Sequence, residues 1–271
     1  MDCHLISFVQ IIRSSTLRRP ELEIPVLAGL CTVHFEIDPG DTGTTLSLIK
    51  EFRSVSEGIA DSIHLLRALS LEAAYHAQHG DINEAIEAAK LVRQVYVIEQ
   101  HSEQIVRNYG KDYALECLSQ SILWYCLAGD QESAAQQADT ILSHYLPHQD
   151  PKDIDSIMAL ILPAVLSMKG NGRALEAEYI MKKHVINAYH QLGEGSSYWV
   201  ELFNPLCYLL EVMKMEETQQ FDEQFIEELE DWVLEIENNQ YATQHLRLGH
   251  TIMGEICYRL GTRRVSGDPL K

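Results

Sequence analysis

Residues 69–96 read LSLEAAYHAQHGDINEAIEAAKLVRQVY, and residues 118–145 read LSQSILWYCLAGDQESAAQQADTILSHY. Aligned on Gly80 and Gly129, the two stretches carry the same residue types on both sides of the glycine. An aspartate follows each glycine, and positions five, nine, twelve and sixteen beyond it hold Ala, Ala, a β-branched residue and Tyr. An aromatic residue stands five positions before each glycine, and a leucine stands eleven before. The chain therefore contains an internal repeat.

The spacing within each copy indicates a pair of helices. Offsets of four, three and four place residues on one face of an α-helix, because 3.6 residues complete a turn. Alanines on that face allow a neighbouring helix to approach closely. The glycine can end a helix in the left-handed conformation, and the aspartate can cap the next one. Each copy thus predicts an antiparallel helical hairpin.

Weaker copies flank these two. Pro39-Gly40-Asp41 precedes Leu46, Ile49 and Phe52, and Gly170-Asn171-Gly172 precedes Ala174, Ala177 and Met181. The turns recur at intervals of about 40 to 50 residues, which is typical of a helical array. We expect an all-α fold in which hairpins stack in series. The expected organisation is a poorly defined N-terminal helix or linker at 1–20, a repeat domain at 21–261 and a disordered tail at 262–271.

The stretch 74–86, AYHAQHGDINEAI, resembles the turn region of a tetratricopeptide repeat. That family places a small or aromatic residue, then Gly-Asp, then Glu-Ala-Ile across a hairpin. The resemblance implies a right-handed α-solenoid whose first helices line a concave groove for a peptide or helix of a partner. Because the standard repeat has a period of about 34 residues, the longer interval here requires longer helices or extra linking turns.

By this resemblance, partner-binding residues lie at exposed positions of the first helices. The positions that we expect to contribute are Arg67, Ser70, Gln78 and Gln120. Such arrays bind through many modest contacts on a rigid surface and need no cofactor. The sequence therefore favours a non-catalytic protein-interaction scaffold.

Charge and cysteine content limit the partners and the compartment. Lys and Arg number 21 against 40 Asp and Glu, so the formal net charge is −19. This excess repels phosphate backbones and anionic lipid, and we expect a basic or neutral protein or peptide as the partner, with no nucleic acid and no membrane. The six cysteines are scattered, and no CxxC pair occurs. They indicate reduced thiols and a cytoplasmic protein.

Two features near the C-terminus are candidate interaction or modification sites. Residues 221–237 combine an apolar stripe at helical spacing with an acidic strip on the other faces. Glu223, Glu227, Glu228 and Asp231 represent that strip, which is either a solvated outer face or a docking surface for a basic partner. Ser266 in the sequence RRVS is a possible acceptor for a basophilic kinase.

Catalytic and metal sites are weakly indicated. Asp41-Thr42-Gly43-Thr44 resembles the active-site loop of aspartic proteases, although a turn and a helix cap also explain Asp41. Gly193-Glu194-Gly195-Ser196 has glycine spacing that could cradle a phosphate, but no lysine follows in the Walker position. The twelve histidines include no HExxH motif. We expect no catalytic residue, no metal and no cofactor.

A second resemblance keeps another function open. The stretch from Tyr109-Gly110-Lys111-Asp112 through Leu123-Trp124 to Gly129 is similar to helical repeats that follow the ATPase module of large signalling proteins, including multidomain nucleotide cyclases. It implies the regulatory or sensing arm of a larger signalling protein. A hydrolase that uses Asp41 is the remote alternative.

Overall fold

The structure is a computed structural model that describes residues 20–37, 42–150, 153–168, 172–181 and 183–184. Within these ranges it contains α-helices, short π-helical and 3-10 segments, and no strand. The expected all-α class is confirmed for this part of the chain. The chain divides into two compact units, Met1–Tyr145 and Leu146–Lys271, and each is described by itself.

The described part of the first unit consists of helices joined by short turns. They are α1 (Pro20–Ile37), α2 (Thr42–Gly58), α3 (Ser62–Gln78), α4 (Ile82–Val95), α5 (Ile98–Tyr109), α6 (Tyr113–Leu127) and α7 (Gln131–Thr140), followed by a π-helical segment (Ile141–Tyr145).

Helices of the first unit pack mainly against their neighbours in sequence. The pairs α1–α2, α3–α4 and α6–α7 form hairpins, and the second helix of one hairpin contacts the first helix of the next, as α2 contacts α3 and α4 contacts α6. The first helices also contact each other, α1 with α3 and α3 with α6. Contacts therefore run in series along this unit.

The repeated positions form the inner faces of the hairpins. All eight alanine, β-branched and tyrosine positions of the two copies are buried. They are Ala85, Ala89, Val92, Tyr96, Ala134, Ala138, Ile141 and Tyr145. The alanines bring paired helices together, and each larger apolar side chain that leaves water contributes about 1.5–3 kcal/mol. The prediction that these residues face a neighbouring helix is confirmed.

The two Gly-Asp turns differ in their caps. Gly80 and Gly129 both have positive φ, +82° and +80°, which confirms the left-handed conformation expected at the ends of α3 and α6. Asp130 caps α7, because its Oδ1 accepts a hydrogen bond of 3.0 Å from the Ser133 N–H. Asp81 makes no such side-chain bond at the start of α4. The predicted side-chain cap is therefore confirmed for Asp130 and wrong for Asp81.

Helix α5 explains why the repeat is longer than expected for the resembled family. This helix of 12 residues lies between the second and third hairpins and contacts α3. It ends at Gly110, whose φ is +86°, and Asp112 then caps α6 through the Leu115 N–H. An inserted helix, rather than longer hairpin helices, thus adds to the interval between Gly80 and Gly129.

The described part of the second unit contains a 3-10 segment (Leu146–His148), α8 (Ile154–Met168) and α9 (Ala174–Met181). The two α-helices contact each other, and Gly172 precedes α9 with a φ of +64°. Buried methionines and aliphatic side chains dominate α8. Within the described ranges, no helix has both the length and the apolar character that a bilayer crossing requires.

Several expectations concern residues outside the described part. These are the N-terminal segment before Pro20, Asp41, the loop 193–196, the acidic strip with Glu223, Glu227, Glu228 and Asp231, the tail 262–271 and Ser266. The proposed extent of the repeat domain, 21–261, also reaches into them. All of these stay predictions.

Candidate functional site

Two neighbouring cavities lie among the first helices of the three hairpins. One has a volume of about 210 Å³ and is lined by residues of α1, α3 and α6 and by Lys111 before α6. The other, of about 770 Å³, is lined by α1, α3, the end of α5 and Tyr113. Thr32, Arg67 and Tyr113 line both cavities. We call the two cavities together the groove.

Arg67 of α3 occupies the wall shared by the two cavities. Its side chain is 5% exposed, and its Nη2 donates a hydrogen bond of 3.1 Å to the Thr32 hydroxyl on α1. Its Nε is buried and has no hydrogen-bond partner among the residues that the structure describes. Within the described ranges, no carboxylate forms an ion pair with Arg67, and Glu116 nearby pairs with Lys111 at 2.7 Å instead. Arg67 is thus a buried cation whose hydrogen-bonding capacity is mostly unused.

Aromatic rings hold the guanidinium of Arg67 in place. The Arg67 Cζ lies 3.4 Å from the centroid of the Tyr113 ring and 5.8 Å from that of Tyr109. The Lys111 ammonium lies 4.7 Å from the Tyr113 centroid. Such cation–π contacts offset part of the cost of removing a charge from water. They leave the N–H donors in the guanidinium plane available, because stacking engages only its faces.

Burial acts on the ionisation of the groups in the groove. It lowers the pKa of Arg67, although an arginine remains charged at physiological pH. Burial also raises the pKa of the Cys117 thiol to about 12. A thiol with so high a pKa carries almost no thiolate near neutral pH, and the thiolate is the nucleophilic form. Cys117 therefore contributes to the wall of the groove and not to nucleophilic chemistry.

The structure brings together three of the four residues that the sequence indicated. Arg67, Ser70 and Gln120 all line the smaller cavity. Gln78 is exposed at the end of α3 and is not part of either cavity lining. The expectation that all four are exposed is wrong for Arg67 and Ser70, which are buried, and holds only in part for Gln120, which is half-buried. Helices α1 and α6 both contact α3, and this packing accounts for the burial of the Arg67 and Ser70 side chains.

Sequence reasoning missed other residues of the groove. Thr32, Lys111 and Tyr113 were not predicted as partner-binding residues, although each contacts Arg67 or its aromatic neighbour. Trp124 was identified only as a repeated aromatic, yet it also lines the smaller cavity. A lone tyrosine after a capping aspartate has no sequence signal for such a role. Its partnership with Arg67 depends on how α3 and α6 pack.

A chain of polar contacts links Asp61, His64 and Tyr109 at the edge of the larger cavity. The His64 Nδ1 and the Tyr109 hydroxyl are hydrogen-bonded at 2.5 Å, and the His64 Nε2 lies 3.8 Å from the Asp61 Oδ2. Asp61 is also the N-cap of α3. Burial raises the pKa of Tyr109. The hydrogen bond to His64 therefore helps to hold the Tyr109 ring beside Arg67.

Among the side chains that the structure describes, no three His, Cys, Asp or Glu converge on a point where a metal ion could bind. Comparisons of the sequence and structure with protein-family models, with curated proteins and with solved structures found no match.

Proposed function

We propose that this chain is a non-catalytic protein-interaction module that binds a peptide segment of a partner protein in the groove. The observation that carries the proposal is the position of the groove, because it is lined by the first helix of each of three hairpins. The proposal further holds that serial packing continues as a right-handed, tetratricopeptide-like α-solenoid. It assigns no catalytic residue, metal or cofactor.

The lining of the groove supports a peptide ligand. The apolar side chains of Phe35, Leu71 and Trp124 offer a surface for an apolar residue of the partner. Ser70, Gln120 and Arg67 add polar groups that could fix its orientation. Small-ligand and peptide sites usually combine a mostly apolar wall with a few such polar groups.

The overall charge bears on the choice of partner. A net charge of −19 attracts basic proteins at long range and does not repel neutral ones. We place such a partner in the cytoplasm with this chain, because the scattered cysteines suit a reducing compartment. Its association rate should fall as salt is added, since screening shortens the range of the attraction. The alternative function, a regulatory arm of a signalling ATPase or cyclase, rests on the resemblance alone.

Selection from a random peptide library on the immobilised 271-residue chain tests the proposal. Gln120→Trp places a bulky side chain in the smaller cavity, and Gln94→Trp makes the same change at an exposed position of α4 outside the groove. We expect selected peptides to bind the unaltered chain and Gln94→Trp equally. Gln120→Trp should weaken binding about tenfold or more, which corresponds to about 1.4 kcal/mol.

Two outcomes would contradict the proposal. One is equal binding of the selected peptides to both tryptophan variants, which would place the peptide site elsewhere. The other is a library from which no peptide is enriched. Circular dichroism of the two variants should match that of the unaltered chain, so that a loss of binding reports on the groove.

A further inference from the structure

We infer that Arg67 is the anchor for an acidic side chain of the bound peptide, and that this acidic residue stands beside an apolar one. The inference rests on the proposed function and deepens it. It starts from the unused donors of Arg67, which lie in the wall between the two cavities.

The hydrogen bonding of Arg67 is incomplete. A guanidinium has five N–H donors, and within the described part of the chain those of Arg67 have one acceptor, the Thr32 hydroxyl. The buried Nε has none. A buried donor that lacks an acceptor destabilises the folded protein, and a buried charge without a counter-charge destabilises it further. Such a group is expected where a ligand completes the arrangement.

Arg53, on the neighbouring hairpin, shows how an arginine charge is usually paired with carboxylates. Arg53 of α2 donates to Glu57 at 2.9 Å and to Glu72 of α3 at 2.9 Å. Its side chain is 31% exposed and has two carboxylate partners, whereas Arg67 is more deeply buried and has none among the described residues. A carboxylate would give Arg67 the planar, two-oxygen partner that its fork geometry matches.

The charges around the smaller cavity leave room for one negative group. Among the described residues of its lining, Arg67 and Lys111 are cations and Glu116 is an anion. Glu116 attracts Arg67 electrostatically but forms its ion pair with Lys111, so the charge of Arg67 has no bonded carboxylate within the part of the chain that the structure describes. One carboxylate from the partner would balance it, whereas a phosphate with two charges would overcompensate.

The walls of the smaller cavity indicate which type of peptide residue should stand next to the acidic one. Phe35, Leu71, Ala74 and Trp124 line the same cavity as Arg67. An apolar or aromatic side chain adjacent to the acidic one could cover these residues while the carboxylate bonds to the guanidinium. His34 also has no hydrogen-bond partner in the described ranges and is buried, but it lines neither cavity and offers no comparable site.

The acidic anchor is compatible with a partner that is basic overall. Long-range attraction depends on net charge, while the contact at Arg67 depends on one group at short range. The net charge of the chain itself disfavours acidic peptides. A preference for an acidic residue at one position would therefore oppose the background field, and nonspecific electrostatics could not produce it.

Three peptide libraries that differ at one position test the inference. Each has a fixed central residue, Glu, Gln or Lys, with an apolar residue beside it and randomised flanks. We expect the full chain to retain the Glu library about tenfold more than the Gln library. Arg67→Met should abolish that difference, whereas the paired-arginine control Arg53→Met should preserve it.

Stability provides a readout that separates anchoring from a structural role. If Arg67 serves a ligand, Arg67→Met removes a buried charge that has no carboxylate partner among the described residues, and the thermal midpoint of the free protein should stay equal or rise. Arg53→Met breaks two ion pairs and should lower it. A large fall in the midpoint of Arg67→Met, together with equal retention of the Glu and Gln libraries by the unaltered chain, would make Arg67 a structural residue and would overturn the inference. The comparison of the Glu and Gln libraries on the unaltered chain remains decisive if that variant does not fold.

The outcomes distinguish this inference from the proposed function. Equal retention of all three libraries, lost in Gln120→Trp, would leave the peptide groove standing and would overturn the acidic anchor. If Gln120→Trp retains every library as well as the unaltered chain does, both the peptide groove and the acidic anchor are overturned.

Two small molecules provide a further probe. We expect 4-phenylbutyrate to compete with the Glu library for binding, and 4-phenylbutanol not to compete. Binding of 4-phenylbutyrate that depends on Arg67, without retention of any library, would assign the cavity to a free organic acid and would overturn the peptide source.

Discussion

The rings of Tyr96 and Tyr145, which end the two copies of the sequence repeat, lie against each other with centroids 5.8 Å apart. Tyr96 follows α4, and Tyr145 ends the π-helical segment after α7. The Tyr96 hydroxyl also donates a hydrogen bond of 2.6 Å to Asp112 Oδ2, and Asp112 caps α6. Equivalent positions of the repeat thus connect the second hairpin to the third.

Removing the Tyr96 hydroxyl should loosen this connection. Tyr96→Phe keeps the ring against Tyr145 but loses the hydrogen bond to Asp112. Hydrogen bonds to charged groups contribute about 1.5–3 kcal/mol, so we expect the free energy of unfolding to fall by about that amount in urea denaturation. Tyr125→Phe, at a half-buried position of α6, is the control and should change it by about 0.5 kcal/mol or less. Equal losses in both variants would assign the effect to something other than this bond.

The two turn glycines should be sensitive to a change that a helix tolerates. Gly80→Ala and Gly129→Ala create no close contact, so their cost comes from the positive φ alone. We expect each to lower the free energy of unfolding by about 1–2 kcal/mol. Gly29→Ala in the interior of α1 also meets no close neighbour and should raise it by about 0.5–1 kcal/mol. Urea denaturation of the three variants checks the sign, and a stabilising Gly80→Ala would contradict the turn geometry.

The capping aspartates should differ in their importance. The Asp61 Oδ1 accepts hydrogen bonds from the Ile63 N–H at 2.9 Å and the His64 N–H at 3.1 Å. Asp81 accepts none at the start of α4. Asp61→Ala should therefore lower the free energy of unfolding by about 1 kcal/mol, a usual loss for an N-cap. Asp81→Ala, the matched control, should lower it by less, and the reverse order in thermal or urea unfolding would refute the assignment of the caps.

Alkaline pH should destabilise the fold through its buried thiols. Burial raises the pKa of Cys31 and of Cys117 to about 12, whereas an unfolded cysteine titrates near about 8.5. The native state thus holds these protons more tightly than the unfolded state. The resulting stabilisation is complete below about pH 8.5 and is lost as the pH rises towards about 12.

Urea denaturation over a series of alkaline pH values measures this effect. The free energy of unfolding should fall with rising pH, and Cys31→Ala should make the slope shallower. Cys126→Ala is the control. Because Cys126 is only partly buried, its thiol should contribute less to the alkaline slope than the buried thiol of Cys31 does. An unchanged slope in Cys31→Ala would show that other groups control the alkaline response.

The periodic positions could be identified from the sequence because their spacing reports a local property. The four-three-four spacing after Gly80 and Gly129 reflects the turn of a helix, which depends on the backbone alone. Burial of Ala85 and Ala134 follows from the same pattern, since an apolar stripe must leave water. The left-handed glycines follow from their own conformational freedom.

The sequence did not predict α5 as a separate helix, because residues 98–109 carry no copy of the repeat. It indicated only that the interval between the two turns is longer than a standard repeat. The sequence directed attention to the first helices, where the two cavities lie, but it did not predict the burial of Arg67 and Ser70. Their environment comes from α1 and α6, which approach α3 from distant parts of the sequence. Periodicity along one helix carries no information about how far its neighbours cover it.

By itself, the sequence determined that this chain forms helical hairpins, where two of the glycine turns fall and which faces pack inward, because these depend on local geometry and on the burial of apolar stripes. Only the tertiary structure decided that the Arg67 guanidinium lies between Thr32 and Tyr113 without a carboxylate partner among the described residues. That arrangement requires three helices to meet, and no spacing within a single helix encodes the meeting.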